Sequence, residues 1–221
     1  MGSANFNTIQ ELLEGAKIEF QVPPYQRGYD WKGEEWRDLW LDINRIEQRV
    51  GTHFLGNVIL LDKENNTLEI VDGQQRITTI SILLMAIRDS DNWEGVAEDS
   101  RIDTLINYRP STERKRKLKL NDPDADESYE NIWNENVEQS QGEILDAYEY
   151  YINKLQSLQH DEIEDLLDKV VENLRVVRTQ LNDPALAYPI FQSQNARGKE
   201  VPPHILATSR VHGESYKLGL Y

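Results

Sequence analysis

The chain has 221 residues, 39 acidic against 24 basic, a net charge of −15 and no cysteine. That length can bury a sizeable core, the missing cysteines exclude disulfides and thiolate zinc sites, and no apolar run is long enough to span a bilayer. The charge excludes a broad basic face for duplex DNA, so any nucleic-acid contact has to be local, metal-assisted or supplied by another domain. A nucleoside triphosphate is not excluded, because a small pocket with one or two arginines and Mg2+ suffices for it. The N-terminus shows no charged-then-apolar signal pattern, which gives the expectation of a cytoplasmic protein.

Thr8-Ile9-Gln10-Glu11 has the capping-box form and predicts a short helix to Glu14, ended by Gly15. Lys17 to Val22 alternates polar and apolar, as a strand does, and Pro23-Pro24 stops it. Tyr25, Gln26, Arg27, Tyr29 and Trp31 then fall on a loop. Aromatics there can stack on a base and Arg27 can meet a phosphate. Equally, Tyr29 and Trp31 can plug the edge of the core while Arg27 makes an internal salt bridge. Glu34 to Val50 reads as an amphipathic helix with Trp36, Leu39, Trp40, Ile43 and Ile46 on one face. His53 to Leu61 reads as a buried strand, with Gly56 marking a bulge or a close backbone approach. His53 itself reads as a surface or edge histidine. Lys63 to Asn66 is a turn, and Thr67 to Val71 returns as the second strand of a hairpin.

The β-branched run then ends abruptly at Asp72-Gly73. Gln74, Gln75 and Arg76 follow, and Ile77, Ile80, Leu83, Leu84 and Ile87 recur at helical spacing. Strand, tight turn and helix place the polar cluster at a helix N-terminus, where free N–H groups and the helix dipole attract anions. Arg76 adds a planar cation suited to phosphate, and Asp72 could hold a hydrated divalent ion or orient a water. Ordinary capping competes with this reading: Asp72 is a good N-cap, and Gln75 resembles the far half of a capping box. Capping does not ask for Gln74, Arg76 or the Thr78-Thr79 pair.

Further along, Ser100 to Asn107 reads as a short helix. Arg109, Arg114, Lys115, Arg116, Lys117 and Lys119 form the basic run, interleaved with Leu118 and Leu120. It is either a phosphate-facing patch or a solvated strand partly neutralised by Asp122 to Glu127. Helices follow at Tyr129 to Val137, Glu143 to Leu158 and around Ile163 to Leu174, then a strand at Arg175 to Leu181. Asn182-Asp183-Pro184 caps a last helix that carries Ala187, Ile190 and Phe191 and ends at Asn195, Arg197 and Gly198. No Walker-type glycine loop is present, which excludes a P-loop mechanism. Nothing looks like a His-Asn-His nuclease, the four histidines being scattered.

Asp72-Gly73-Gln74-Gln75-Arg76-Ile77-Thr78-Thr79 resembles the signature of the GmrSD-type restriction endonuclease N-terminal domain family. Val22-Pro23-Pro24-Tyr25-Gln26-Arg27-Gly28-Tyr29-Asp30-Trp31 and Phe191-Gln192-Ser193-Gln194-Asn195-Ala196-Arg197-Gly198-Lys199 are similar to its first and later motifs, in the family's order. The resemblance implies an α+β fold, with a small mixed sheet of ParB/sulfiredoxin-like type followed by a mainly helical lobe. The division would fall at 1–108 and 109–221. The tail from Ala207 to Tyr221 departs from the family, so the chain reads as truncated at its C-terminus.

The activity implied is nucleoside triphosphate binding, and hydrolysis with Mg2+, in a prokaryotic, modification-dependent anti-phage system. Asp72, Gln75 and Arg76 would be catalytic, with Asp72 also the metal ligand. Gly73, Gln74, Thr78, Thr79, Gln26, Arg27, Asn195 and Arg197 would bind the nucleotide, and Tyr25, Tyr29 and Trp31 would be candidates for sensing DNA. Cleavage would need a separate nuclease subunit or domain. Two other readings stay open: a ParB-like DNA nickase or modified-DNA sensor, and a non-catalytic partner subunit.

Overall fold

In the computed structural model, residues 3–15, 17–47, 51–93, 100–109 and 113–195 are described. The chain opens with a strand that alternation did not reveal, β1 (Ser3–Thr8), and Thr8 then caps α1 (Ile9–Leu13) through the expected box with Glu11. β2 (Glu19–Gln21) stops at the proline pair, and α2 (Gly33–Asn44) follows, shorter than its pattern suggested. The hairpin is β3 (His53–Asp62) and β4 (Thr67–Asp72), and it feeds α3 (Gln74–Arg88). Next come α4 (Ser100–Ile106), a small pair of β5 (Asn107–Tyr108) and β6 (Lys115–Arg116), and β7 (Leu118–Lys119).

α5 (Pro123–Trp133) starts six residues before the expected helix. Asp122-Pro123, read as a charge reversal, is in fact an N-cap followed by proline in the first turn: the Asp122 carboxylate accepts from the N–H groups of Asp124 and Ala125. α6 (Gly142–Leu155) and α7 (His160–Asp168) follow, α7 running into a π-turn at Lys169–Asn173. β8 (Leu174–Leu181) and α8 (Pro184–Asn195) complete the described chain.

The class is α+β. The six-stranded sheet has the order β1-β8-β3-β4-β2-β7 and is mixed, with β3 parallel to β8 and antiparallel to β4. β7 and β8, both from beyond residue 109, pair directly with strands from before it. Alternation along β3 decides what covers each face. Val58 and Leu60 point into the main core with α3, whereas Ile59 and Leu61 point the other way, to Ala187 and Phe191 of α8. α3 is buried at every residue from Ile77 to Ile87. A helix apolar all round belongs inside, and this one is enclosed between the sheet and the helices of the second half. Each fully buried Leu or Ile there contributes roughly 1.5–3 kcal/mol, so the start of α3 has a rigid base.

Candidate functional site

The turn between β4 and α3 is set by Gly73. Its backbone sits at φ 96°, ψ 8°, and a Cβ there would meet Val58 Cγ2 at 2.9 Å. Both the left-handed conformation and the close approach require glycine. The expected N-cap at Asp72 is not formed: Gly73 is the N-cap, and no side chain caps the helix. Among the described residues, no side chain therefore compensates the first N–H groups or the positive dipole end of α3.

That end opens on a cavity of about 480 Å3. Its walls come from the loop after β2 (Gln26, Arg27, Trp31), from α2 (Glu35, Asp38, Leu39, Asp42), from the start of β3 (His53, Phe54, Leu55), from residues 71–76 and from Phe191 of α8. Gln74 is 4 % exposed and lines the cavity, and its Nε2 has no hydrogen-bond partner among the described residues. Arg76 donates from Nη1 to the Leu55 carbonyl at 2.9 Å, and its Nη2 stands 3.5 Å from Asp72 Oδ2. A Cβ at Gly56 would overlap that guanidinium. The register shift expected at Gly56 lies between Phe54 and Gly56, and the arginine occupies the space the glycine leaves open.

Most of the other motif residues lock the two motifs together. Gln26 Nε2 donates to the carbonyls of Ile70 and Val71, clamping the loop to the end of β4. Gln75 Oε1 accepts from the N–H groups of Asp30 and Trp31, and its Nε2 donates to the Gly28 carbonyl. Its amide, expected to be catalytic, thus holds the loop through three hydrogen bonds. The Tyr29 hydroxyl pairs with Thr79 Oγ1 and accepts from Trp36 Nε1. Burial pushes its ionisation well above the ordinary phenol range.

Thr78 and Thr79 are both 0 % exposed, behind the helix start, and neither reaches the cavity. Tyr25, bonded to Glu69, is 5 % exposed and Tyr29 is 7 % exposed, so neither can stack on a base without leaving the core. Of the three aromatic candidates, Trp31 alone lines the cavity. Arg27 lines it too and pairs with Asp30 at 2.7 Å, the internal salt bridge weighed for it. Arg197 lies outside the described residues, and only the backbone of Asn195 is described.

The cavity holds two arginines, Arg27 and Arg76, against four carboxylates, Glu35, Asp38, Asp42 and Asp72. The three α2 carboxylates were missed in the sequence, although their i, i+3, i+7 spacing puts them on one helix face. His53 reads as an edge residue in sequence, and its Nε2 stands 3.4 Å from Asp42 Oδ2, both residues lining the cavity. No spacing rule joins these two residues. Among the described residues no cluster of three or more His, Asp or Glu side chains is placed to hold a metal ion. Asp72, expected as a metal ligand, stands in the cavity wall as a carboxylate facing Arg76.

The three motifs and the interlock between the first two bear on one comparison. The model of the GmrSD restriction endonuclease N-terminal domain matches residues 9–209. The chain belongs to that family. No curated protein matches the chain. As a GmrSD N-terminal domain, it is a module of a DNA-restriction system. No described helix of this GmrSD domain is long and apolar enough to cross a membrane.

Proposed function

We propose that this domain binds a nucleoside triphosphate in the cavity at the start of α3 and hydrolyses it as part of restriction. The carrying observation is Gln74: a buried residue lining the same cavity as the uncapped helix end, its Nε2 without a hydrogen-bond partner among the described residues. A buried N–H without a partner costs about 1–3 kcal/mol, and a phosphate oxygen there would satisfy it together with the first N–H groups of α3. Arg76 supplies fixed positive charge. Asp72 would hold Mg2+ arriving with the triphosphate, and that ion would neutralise phosphate charge. Trp31 and Arg27, which line the same cavity, would meet the base and sugar. Phosphoryl transfer needs chiefly positioning and charge neutralisation, which this set offers.

The test is calorimetry with Mg2+ and each of the four ribonucleoside triphosphates, on the wild type and on Gln74→Leu. Arg76→Ala is a poorer probe, because it also strips the Leu55 carbonyl of its donor. The leucine variant removes an unpaired amide, so it should hold or gain stability while losing about tenfold in affinity, equivalent to about 1.4 kcal/mol. Wild-type binding that the variant keeps in full would remove Gln74 from the site. No binding by a folded wild type would overturn the reading. Given the chain's acidity, DNA cleavage is assigned to a separate nuclease part, and the purified domain should leave a plasmid uncut with triphosphate and Mg2+.

A further inference from the structure

We propose that His53 is the general base for nucleotide hydrolysis in this cavity, with Asp42 as its positioning residue. The inference rests on the nucleotide reading above. Three features of the cavity lead to it. First, His53 and Asp42 both line the space that Asp72 and Arg76 line, and each is 33 % exposed, so the pair is partly shielded and still reachable by water. Second, the ring turns Nε2 to Asp42 Oδ2 at 3.4 Å, which leaves Nδ1 for a water molecule. Third, Leu55, two residues further along β3, holds Arg76 Nη1 on its carbonyl. Two residues of strand span roughly 7 Å, so the imidazole and the guanidinium rise from neighbouring points on the cavity wall.

The other polar groups are less suited to take a proton. The Gln75 amide is used by the loop, and a Glu35 carboxylate oxygen accepts from the Lys32 N–H. Asp38 pairs with Arg37, and Asp72 faces Arg76. Histidine is the side chain that exchanges protons near neutral pH, and a carboxylate behind it fixes its tautomer and steadies the imidazolium. The charged groups facing the pair are Asp38 and Glu35 of α2, Arg45, which also touches Asp42 at 3.4 Å, Arg76 of α3, Asp72 of β4 and Arg27 of the loop.

In the step, a water oxygen attacks the terminal phosphorus as its proton passes to His53 Nδ1. The new P–O bond forms while the bond from that phosphorus to the bridging oxygen breaks, and its electron pair leaves on the nucleoside diphosphate. The imidazolium then returns its proton to solvent. Products are a nucleoside diphosphate and inorganic phosphate, with no other reactant consumed.

The experiment measures triphosphate binding by calorimetry and single-turnover hydrolysis across pH 5 to 9, for wild type, His53→Gln, His53→Ala and Asp42→Asn. Circular dichroism checks that each variant is folded. Loss of a general base should slow hydrolysis about 100-fold or more. His53→Gln should keep binding within about threefold and lose the acid limb of the pH profile. Added imidazole should restore part of the rate to His53→Ala, a rescue that a purely structural role would not produce. Asp42→Asn should displace the acid limb. Hydrolysis by folded His53→Gln at the wild-type rate and with the wild-type profile overturns the proposal. So does a wild type that binds triphosphate but does not turn it over at any pH, an outcome that leaves the binding site standing. A wild type that binds no triphosphate overturns both.

Discussion

Two polar stretches of this chain look alike in sequence and are used in opposite ways. The basic run near residue 116 and the Asp72–Arg76 turn both present cations of the kind that bind phosphate. In the first, the cations that are not simply exposed are matched from within. Arg116 makes a bidentate pair with Asp126, Arg109 pairs with Asp103, and Arg114 lies over the Trp133 ring at 4.9 Å. Lys117 is 2 % exposed, and its ammonium donates to the carbonyls of Leu13, Gly15 and Thr104. Lys117 alone is an internal staple, joining α1, α4 and the sheet edge, while Arg114, Lys115 and Lys119 are exposed, as on the solvated strand considered for this run. At the start of α3, by contrast, the Gln74 Nε2 and the helix end have no side-chain partner among the described residues. Polar groups that are satisfied build the scaffold, and the ones left open mark where a ligand is expected.

The largest effect should come from breaking the staple. Lys117→Met leaves three carbonyls without their donor and should cost about 3 kcal/mol or more in denaturant unfolding. At temperatures where the variant is folded, triphosphate affinity should be unchanged. A loss below about 1 kcal/mol would mean that water or a shifted backbone replaces the ammonium. Next in size is Gly56→Ala, which must displace Arg76 and forces a side chain onto φ 112°. It should lose about tenfold or more in triphosphate affinity and about 1–3 kcal/mol of stability. Gln74→Leu sharpens the contrast, because it should weaken binding with no loss of stability.

The smallest effect is a pH slope. Burial pushes Lys117 down to about 8 from an ordinary value of 10.5. Between those values the unfolded chain binds more protons than the folded one, so stability should rise with pH, by no more than about 1.4 kcal/mol per unit for one proton. Buried Tyr29, Tyr129, Tyr148 and Tyr151, all pushed up by burial, act in the opposite direction above pH 10. The window to observe is therefore pH 8 to 10, and Lys117→Met should flatten it.

Much of the framework was legible in the sequence because it is written in local periodicity. The switch from period two to helical spacing at Asp72-Gly73 located both the end of β4 and the start of α3. The α1 box and the β3–β4 hairpin followed from neighbouring residues alone. What could not be read is carried by partners far apart in the chain. Gln26 and Gln75 looked like ligand-binding amides, yet their hydrogen bonds run to residues 44 to 47 positions away. The pairing of His53 with Asp42 depends on how α2 packs beside β3, which no motif records. β1 was missed because Ser-Ala-Asn-Phe-Asn-Thr offers a single large apolar residue, and its strand character comes from pairing with β8.

Phe191 carries one more consequence. It closes the cavity from α8, packs edge-on against Tyr25 at 5.4 Å, and belongs to a small apolar cluster separate from the main core. An element anchored by so few buried groups opens at a lower free energy than the sheet beneath it. A ligand that fills the cavity and touches Phe191 stabilises the closed form of α8, increasingly so as its free concentration rises above Kd. Amide exchange along α8 should therefore slow as triphosphate is added while exchange in β3 hardly changes, making this helix a gauge of whether the cavity is filled.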